Sequence, residues 1–395
     1  SFTVGGTING SNNLGLTLRL NGNGTTDLIG LVNGAFAFPA IADGSAYTVA
    51  VFLQPIGQTC GVANGSGTLG GANVSSVVVT CVTAGFTIGG TISGLSGAGL
   101  VLRNNGGNDL AISASSGAFT FGTPIASGAP YAVTVATHPT NPSQTCTVTG
   151  GSGNVGLANV TNVVVVCVTN SFTIGGTVSG LSGAGLVLQN NLGNNLPVSA
   201  PGGTFTFSTA IASGSAYSVT VLTQPGTPTQ ACTVTSGGSG TVGSANVTTV
   251  AINCVTNAFT IRATVSGLSG AGLVLQNNLG NDLPIPANGT FTFTTPIASG
   301  APFSVTVLTQ PNTPTQACTV TNGSANVGGG NVNVAVACVT GSFTIGGTIT
   351  GLSGLGLVLR NNGGNDLAVS ANGTFTFTTL VASEIGRASC REREP

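Results

Sequence analysis

Charge is almost absent from the sequence. Only 4% of its 395 residues are charged, and the 7 basic residues are all Arg, set against 8 acidic residues and a single His. An ordinary soluble domain carries about 25% charged residues. A chain without Lys and with a net charge of -1 offers no basic surface to a nucleic acid and no field to steer a charged partner. Nucleic acid is therefore excluded as a partner class.

Long apolar runs are missing as well. The longest valine-rich run, residues 163–168, has the length of a strand and falls far short of the ~20 residues of a membrane span. We predict no membrane span in this fragment, and we expect both natural ends to be missing because Ser1 enters a repeat directly. With 41% hydrophobic residues, and with Gly and Pro below the level typical of disordered sequence, the chain can form buried cores.

The last twelve residues differ in composition from the rest. Residues 384–395 hold three of the seven Arg and all three Glu of the chain. Residues 384–393 resemble a translated sequencing adapter, so we interpret 384–395 as a non-native tail. The alternative is a genuine charged terminus.

Internal repeats set the organisation. The motif Phe-Thr-[Ile/Val] begins at Phe2, Phe86, Phe172, Phe259 and Phe343, at spacings of 84, 86, 87 and 84 residues. These spacings exceed the range of about 20 to 50 residues that is typical of solenoids, so each repeat should be an independent domain. The predicted domains are repeat 1 (1–84), repeat 2 (85–170), repeat 3 (171–257), repeat 4 (258–341) and a truncated repeat 5 (342–383).

Each repeat is predicted to contain only strands. In repeat 2 the expected strands are 86–93, 100–104, 110–113, 118–122, 131–136, 145–149 and 160–168. Apolar and polar residues alternate in them, and Gly, Asn and Ser stand between them. This pattern predicts an all-β fold: a tandem array of antiparallel seven-stranded immunoglobulin-like β-sandwiches, arranged as beads on a string.

Recurring aromatic residues are predicted to form the cores. Their alternation places them on the inward face, and stacking on a sugar is the alternative role. They are the pairs Phe36/Phe38, Phe119/Phe121, Phe205/Phe207, Phe291/Phe293 and Phe375/Phe377, with Tyr47, Tyr131, Tyr217 and Phe303.

Cysteines occur as one pair in each complete repeat. Setting aside Cys390 in the tail, the pairs are Cys60/Cys81, Cys146/Cys167, Cys232/Cys254 and Cys318/Cys338. The first member opens the sixth predicted strand and the second closes the seventh, so a hairpin would bring them opposite each other. Zinc is the rival explanation, but two Cys fall short of its four ligands. Disulfides imply an oxidising compartment, so we expect an extracellular or cell-surface location.

The linkers between repeats are short. Four residues separate each closing Cys from the Phe of the next repeat motif, at 82–85, 168–171, 255–258 and 339–342, and none is Pro. We expect such linkers to restrict bending and to give a semi-stiff rod, on the order of 150 Å long for this fragment.

Residues suited to chemistry are few. His138 occupies a slot that holds Gln54, Gln224 and Gln310 in the other repeats, so a catalytic site shared by the repeats cannot depend on it, and we predict that it is a surface loop residue. The glycine pair after the first Phe-Thr is replaced in repeat 4 by Arg262 and Ala263, and we interpret it as strand with close packing.

Three Arg–Asp pairs bracket a turn, as Arg19/Asp27, Arg103/Asp109 and Arg360/Asp366; repeat 3 has Gln189/Asn195 and repeat 4 has Gln276/Asp282. We interpret them as surface ion pairs. One carboxylate per repeat falls short of a calcium cage. We predict no catalytic, cofactor-binding or metal residue, and no enzyme.

The repeat motif resembles a known class of proteins. Phe-Thr-Ile-Gly-Gly-Thr-[Ile/Val]-Ser-Gly-Leu-Ser-Gly, followed by Asn-Gly-Thr-Phe-Thr-Phe and Ser-Val-Thr-Val-Leu-Thr-Gln-Pro, is similar to the tandem immunoglobulin-like repeats of large bacterial surface and secreted proteins. The resemblance implies export and a structural or adhesive role.

Three hypotheses follow. The first is a non-catalytic stalk or fibre segment; the second is modules that bind glycans or a matrix protein; the third is a spacer of a secreted hydrolase whose catalytic domain lies elsewhere. Self-association is also expected, because the uncharged strand 162–166 has nothing to discourage edge pairing.

Overall fold

A computed structural model describes residues 1–22, 24–113 and 116–383 of the chain. The regular secondary structure of those residues consists of β-strands, with no helix. This confirms the predicted all-β class of tandem immunoglobulin-like sandwiches. The chain forms two compact units, one made of residues 1–173 with 210–216 and 241–247, the other of the remaining described residues. The domain boundaries proposed from the sequence stay a prediction, and the tail 384–395 lies outside the described residues.

The strands of repeats 1 and 2 are as follows. Repeat 1 has β1 (Val4–Asn9), β2 (Thr17–Gly22), β3 (Gly24–Ile29), β4 (Gly34–Ala37), β5 (Ala46–Leu53), β6 (Gln58–Ala63), β7 (Ser66–Thr68) and β8 (Val74–Thr83). Repeat 2 has β9 (Gly85–Phe86), β10 (Ile88–Ser93), β11 (Val101–Asn104), β12 (Asn108–Ala111), β13 (Gly117–Thr120), β14 (Ile125–Ala126), β15 (Pro130–Thr137), β16 (Gln144–Thr149), β17 (Ser152–Asn154) and β18 (Val160–Thr169).

Repeats 3 to 5 follow the same order. Repeat 3 has β19 (Ser171–Phe172), β20 (Ile174–Ser179), β21 (Leu186–Asn190), β22 (Asn194–Val198), β23 (Gly203–Thr206), β24 (Ile211–Ala212), β25 (Ala216–Thr223), β26 (Gln230–Ser236), β27 (Ser239–Thr241) and β28 (Val247–Thr256). Repeat 4 has β29 (Ala258–Phe259), β30 (Ile261–Ser266), β31 (Leu273–Asn277), β32 (Asn281–Ile285), β33 (Gly289–Thr292), β34 (Ile297–Ala298), β35 (Pro302–Thr309), β36 (Gln316–Thr321), β37 (Ser324–Asn326) and β38 (Val332–Thr340). Repeat 5 has β39 (Ser342–Phe343), β40 (Gly346–Ile349), β41 (Leu357–Asn361), β42 (Asn365–Val369), β43 (Gly373–Thr376) and β44 (Val381–Ala382).

Two four-stranded sheets build each of repeats 1 to 4. The first, which we call the disulfide sheet because both cysteines lie in it, has the orders β4-β1-β8-β6, β13-β10-β18-β16, β23-β20-β28-β26 and β33-β30-β38-β36. The second, which we call the hairpin sheet, has the orders β3-β2-β5-β7, β12-β11-β15-β17, β22-β21-β25-β27 and β32-β31-β35-β37. Two sheets with one apolar face each can bury those faces against each other.

Two details differ from the sequence-based prediction. The first strand of the disulfide sheet runs parallel to the last strand, as β10 does to β18, while the other pairs are antiparallel. The hairpin sheet also gains a short edge strand such as β17, whose Ser-Gly-Asn sequence has no apolar alternation to reveal it. Hydrophobic periodicity identifies a strand but not the direction of its neighbour.

The recurring aromatic residues lie in the cores, as predicted. Phe121 and Phe207 are fully buried, and the ring of Phe119 meets that of Phe121 edge-on with centroids 6.0 Å apart. Tyr47, Tyr131, Tyr217 and Phe303 are also buried, whereas Phe291 and Phe375 are half-buried. Rings placed inward in this way are not surfaces on which a sugar could stack.

The strand expected to pair at an exposed edge is central instead. Residues 162–166 belong to β18, which has β10 on one side and β16 on the other. Its backbone groups are therefore already paired on both sides, so the prediction that this strand offers an edge is wrong. Alternating burial along β18 explains the error, because a valine-rich central strand and a valine-rich edge strand have the same sequence pattern.

Candidate functional site

A disulfide joins the last two strands of the disulfide sheet in each of repeats 1 to 4. Cys146 of β16 pairs in register with Cys167 of β18, and their Cα atoms are 4.0 Å apart. The bonds are Cys60–Cys81, Cys146–Cys167, Cys232–Cys254 and Cys318–Cys338, with sequence separations of 21, 21, 22 and 20. All eight cysteines are buried in the cores. Closing a loop of this length contributes roughly 3 kcal/mol to the stability of a repeat on the chain-entropy estimate.

A glutamine covers the outer edge of the strand that carries the first cysteine, which we call the cysteine strand; these strands are β6, β16, β26 and β36, and the glutamine is present in repeats 1, 3 and 4. Gln224 Oε1 accepts a hydrogen bond from the Cys232 N–H at 2.7 Å, and Gln224 Nε2 donates to the Cys232 carbonyl at 2.9 Å. Gln54 and Gln310 make the same two bonds to Cys60 and Cys318. A side chain that occupies both backbone groups of an edge residue blocks the addition of another strand there.

His138 takes the place of that glutamine in repeat 2. Its Nδ1 accepts the Cys146 N–H at 3.1 Å, and the side chain is exposed, as expected of a loop residue. The edge-protecting role of this slot was missed from the sequence. The recurrence of Gln, or His, directly before a Pro in repeats 1 to 4 was the available signal.

A second glutamine, which is buried, is the first residue of the cysteine strand and forms hydrogen bonds to the backbone of a neighbouring loop. Gln144 is 1% exposed; its Oε1 accepts the N–H groups of Ser96 and Gly97, and its Nε2 donates to the Gly94 carbonyl at 2.8 Å. Gln230 and Gln316 make equivalent bonds in repeats 3 and 4. This side chain fixes the turn that follows the first strand of the disulfide sheet. Sequence reasoning did not identify it either.

A recurring set of hydrogen bonds, which we call the junction triangle, connects consecutive repeats. In the first unit it links Ser143 of repeat 2, the linker residue Asn170 and Ser213 of repeat 3. The Asn170 N–H donates to the Ser143 carbonyl, the Ser213 N–H donates to the Asn170 carbonyl, and the Ser143 N–H donates to Ser213 Oγ, at 2.9, 2.8 and 2.9 Å. Ser143 and Ser213 are 9% and 5% exposed, so the triangle is shielded from water.

The same triangle recurs in the second unit. Thr229, Asn257 and Ser299 form it between repeats 3 and 4, with distances of 3.0, 2.8 and 3.0 Å, and Thr315, Gly341 and Ser383 form it between repeats 4 and 5. Between repeats 1 and 2, the Ala84 N–H donates to the Gly57 carbonyl and the Ser127 N–H to the Ala84 carbonyl. The linker backbone is therefore hydrogen-bonded on both sides at every junction.

The Arg–Asp slots form cross-strand pairs on the hairpin sheets. Arg19 donates through Nε and Nη2 to both carboxylate oxygens of Asp27, at 2.6 and 2.7 Å. The same bidentate pairing joins Arg103 to Asp109 and Arg360 to Asp366. The slots that lack Arg pair too, since Gln189 Nε2 donates to Asn195 Oδ1 and Gln276 Nε2 to Asp282 Oδ1.

Hydrogen bonds from the Arg guanidinium groups lower the pKa of the Asp carboxyl groups that accept them. The bonds from Arg103 lower the pKa of Asp109 below its ordinary value, and the positive charge acts in the same direction. Arg19 and Arg360 lower the pKa of Asp27 and of Asp366 in the same way. The pairs lie on exposed surface, where such interactions contribute little.

The His, Cys, Asp and Glu side chains of the described residues are dispersed. Within residues 1–22, 24–113 and 116–383, no three His, Cys, Asp or Glu side chains come together. In the same part of the chain, no helix is long and apolar enough to cross a membrane. Cys390 lies outside the described residues.

Several solved structures are similar to the chain. The Bacillus anthracis TIE protein has 12% identity and a TM-score of 0.42, and the match covers 85% of this chain and 68% of that one. Two B repeat units of the collagen binding protein of Staphylococcus aureus have 13% identity and a TM-score of 0.19, covering 85% and 98%. A streptococcal ancillary pilin has 14% identity and a TM-score of 0.19, covering 64% and 98%.

No protein-family model and no curated protein matches the sequence. Because every TM-score above is below 0.5, the fold class rests on the chain's own sheets.

Proposed function

We propose that this chain is a non-catalytic extracellular structural region, a semi-stiff stalk or fibre segment of a bacterial surface protein. Its repeats have similar sequences, a disulfide cross-links each of repeats 1 to 4, and a short hydrogen-bonded linker joins each repeat to the next. Disulfides of this kind persist in oxidising compartments, which supports a location outside the cytosol. Almost complete absence of charge favours a passive spacer over a partner that attracts ligands electrostatically.

The junction triangle is the observation that carries this proposal. A flexible tether needs no bonds between the modules it joins, and its backbone is solvated. Here the linker residue both donates to the preceding repeat and accepts from the following one, while a buried serine hydroxyl closes the set. Bending at the junction would break these bonds in a shielded site, where each unpaired group costs about 1–3 kcal/mol.

Scattering and electron microscopy of the purified chain test the proposal. The expected result is an extended particle whose maximum dimension approaches the contour expected of tandem sandwiches. A double variant, S213A/S299A, removes the closing hydroxyl of two junctions and should broaden the distribution of particle lengths. The matched control is S152A, an exposed serine of β17 outside the junctions.

Hydrogen exchange provides the local measurement. The amides of Ser143 and Thr229 should exchange faster in S213A/S299A and stay unchanged in S152A, because only the first variant removes their acceptors. A compact particle, or lengths unaffected by the double variant despite faster exchange, would contradict the stalk proposal.

A further inference from the structure

The hairpin sheet of repeat 2 has an outer edge with free backbone groups. Among residues 1–22, 24–113 and 116–383, β12 is an edge strand that pairs with β11 alone. The Ile112 N–H donates to the Leu100 carbonyl, so in an antiparallel ladder Leu110 also directs its backbone groups towards β11. Asp109 and Ala111, at the alternate positions, direct their N–H and carbonyl groups away from the sheet.

Prolines close the same edge in repeats 3 and 4. Pro197 pairs with Val187, and Pro284 with Val274, at the position where Ala111 pairs with Val101. A proline has no N–H to donate, and placing it at the outward position of an edge strand prevents another strand from pairing there. The backbone of this position accepts proline in two repeats, so the alanine of repeat 2 is not demanded by the fold.

Repeat 1 has no proline at this edge, but a bulge interrupts its edge strand directly after the matching position, Ile29. Its strand β3 ends at Ile29, and the left-handed Gly30 with φ of 66° follows directly. Register then shifts, because Ile29 pairs with Thr17 while the Leu31 N–H donates to the Leu16 carbonyl. A bulge at an edge turns the strand away from a neighbour. Among repeats 1 to 4, β12 is thus the proline-free hairpin-sheet edge whose register continues without a bulge through Ile112.

A cleft lies beside this edge, between β12 and β13, which are the edge strands of the two sheets. Its lining combines the apolar side chains of Ile92, Leu110, Ile112 and Phe119 with Ser113 and Thr120. Ala111 is exposed, and Leu110 and Ile112 are half-buried. A strand added to β12 would pair the free backbone groups and cover the apolar side chains of this lining at the same time.

We propose that the occupant of the β12 edge is β12 of a second copy of this chain, paired antiparallel about a two-fold axis at Leu110. The axis places Asp109 of each copy opposite Ala111 of the other, which matches outward donors with outward acceptors and forms four hydrogen bonds. Two Asp109 side chains do not face each other in this register, and each is held by its own Arg103. This inference does not depend on the stalk proposal.

Sedimentation equilibrium of the full chain over a wide concentration range tests the proposal. The wild-type chain should dimerise, and A111P, which copies Pro197 and Pro284, should weaken dimerisation at least about tenfold by removing a central donor. Repeat 5 has Ala368 in the matching slot, so A111P/A368P accompanies the single variant. The reverse variant P197A opens an edge in repeat 3 and should increase association.

Hydrogen exchange locates the contact. The Ala111 amide should become protected as concentration rises, whereas the amide of Thr134, already inside the sheet, should not change. Melting temperature and the count of free thiols verify that A111P is folded. A wild-type chain that stays monomeric, or an A111P chain that associates as strongly as wild type, would overturn the proposal.

Discussion

The pairing of β10 with β18 in repeat 2 differs from the equivalent pairing of β30 with β38 in repeat 4. In repeat 2 the register between β10 and β18 shifts, since Ile88 pairs with Val160 but Gly90 pairs with Val163. In repeat 4 the register between β30 and β38 is continuous, with Ile261 opposite Val332 and Ala263 opposite Val334. The last strand of repeat 4 is one residue shorter at this point, so the bulge of repeat 2 is absent there.

The bulge explains the second glycine of the pair. In repeat 2 a Cβ on Gly90 would collide with the carbonyl of Val163, and in repeats 1 and 3 the same holds for Gly6 and Gly176. Repeat 4 has no bulge and has Ala263 at this position, fully buried. The extra residue in one strand and the missing side chain in its neighbour therefore belong together. Close packing, inferred from the sequence, is correct, and its cause is a carbonyl displaced by the bulge.

Removing the disulfide should have the largest effect, and the effect should be the same in both repeats. C146A/C167A and C318A/C338A should each lower the free energy of unfolding of their own repeat by roughly 3 kcal/mol, because the closed loops differ by one residue. Calorimetry, with hydrogen exchange to assign each transition, measures this. A large difference between the two variants would show that the bulge alters how the ribbon is anchored.

Exchanging Gly and Ala at the position of the bulge should affect the stability of repeats 2 and 4 differently. G90A should destabilise repeat 2 by about 1–3 kcal/mol, because backbone has to move to admit the Cβ. A263G in repeat 4 should cost about 1 kcal/mol, from one lost buried methyl and added backbone freedom. Urea denaturation of the two variants provides the comparison. Equal losses in the two variants would mean that the bulge is not the reason for the glycine.

Giving repeat 2 the strand length of repeat 4 should offset the destabilisation caused by G90A. Deletion of Asn162 together with G90A makes repeat 2 match the strand lengths and side chain of repeat 4. The combination should be at least about 1 kcal/mol more stable than the sum of the separate changes predicts, because neighbouring changes that relieve one clash are not additive. A double-mutant cycle in urea measures this coupling. Simple additivity would contradict the account.

The smallest effect concerns the ion pair. R103Q copies Gln276 of repeat 4 and should raise the pKa of Asp109 towards its ordinary value, since the guanidinium bonds that lower it are lost. A carboxyl group whose pKa is lowered by folding stabilises the fold at pH values above its ordinary, unfolded pKa. That stabilisation is lost as the pH falls through the folded pKa. In R103Q the loss of stability on acidification should therefore be smaller than in the wild type and should be complete at a higher pH. NMR titration of Asp109 measures it, with Asp27 as the unchanged reference.

Cores, cross-links and turn-bracketing pairs could be predicted from the sequence, because each has a periodic or repeated signal. Phe119 and Phe121 alternate with polar residues, Cys146 and Cys167 recur in every complete repeat, and Arg103 and Asp109 lie either side of an Asn-Gly turn. The parallel pairing of β10 with β18, the edge bonds of Gln224 and the loop contacts of Gln144 depend on which strands become neighbours. That choice is made by tertiary packing and leaves no local pattern.

The parallel pairing has a mechanical consequence. In a repeat whose first and last strands run side by side in the same direction, the chain enters at one end of that pair and leaves at the other. Tension applied through the linkers would act along the strands and load their ladder in shear, so that many bonds resist together instead of opening one at a time. Once the pair ruptured, the cross-link between Cys146 and Cys167 would still withhold the enclosed loop from extension and shorten the length released.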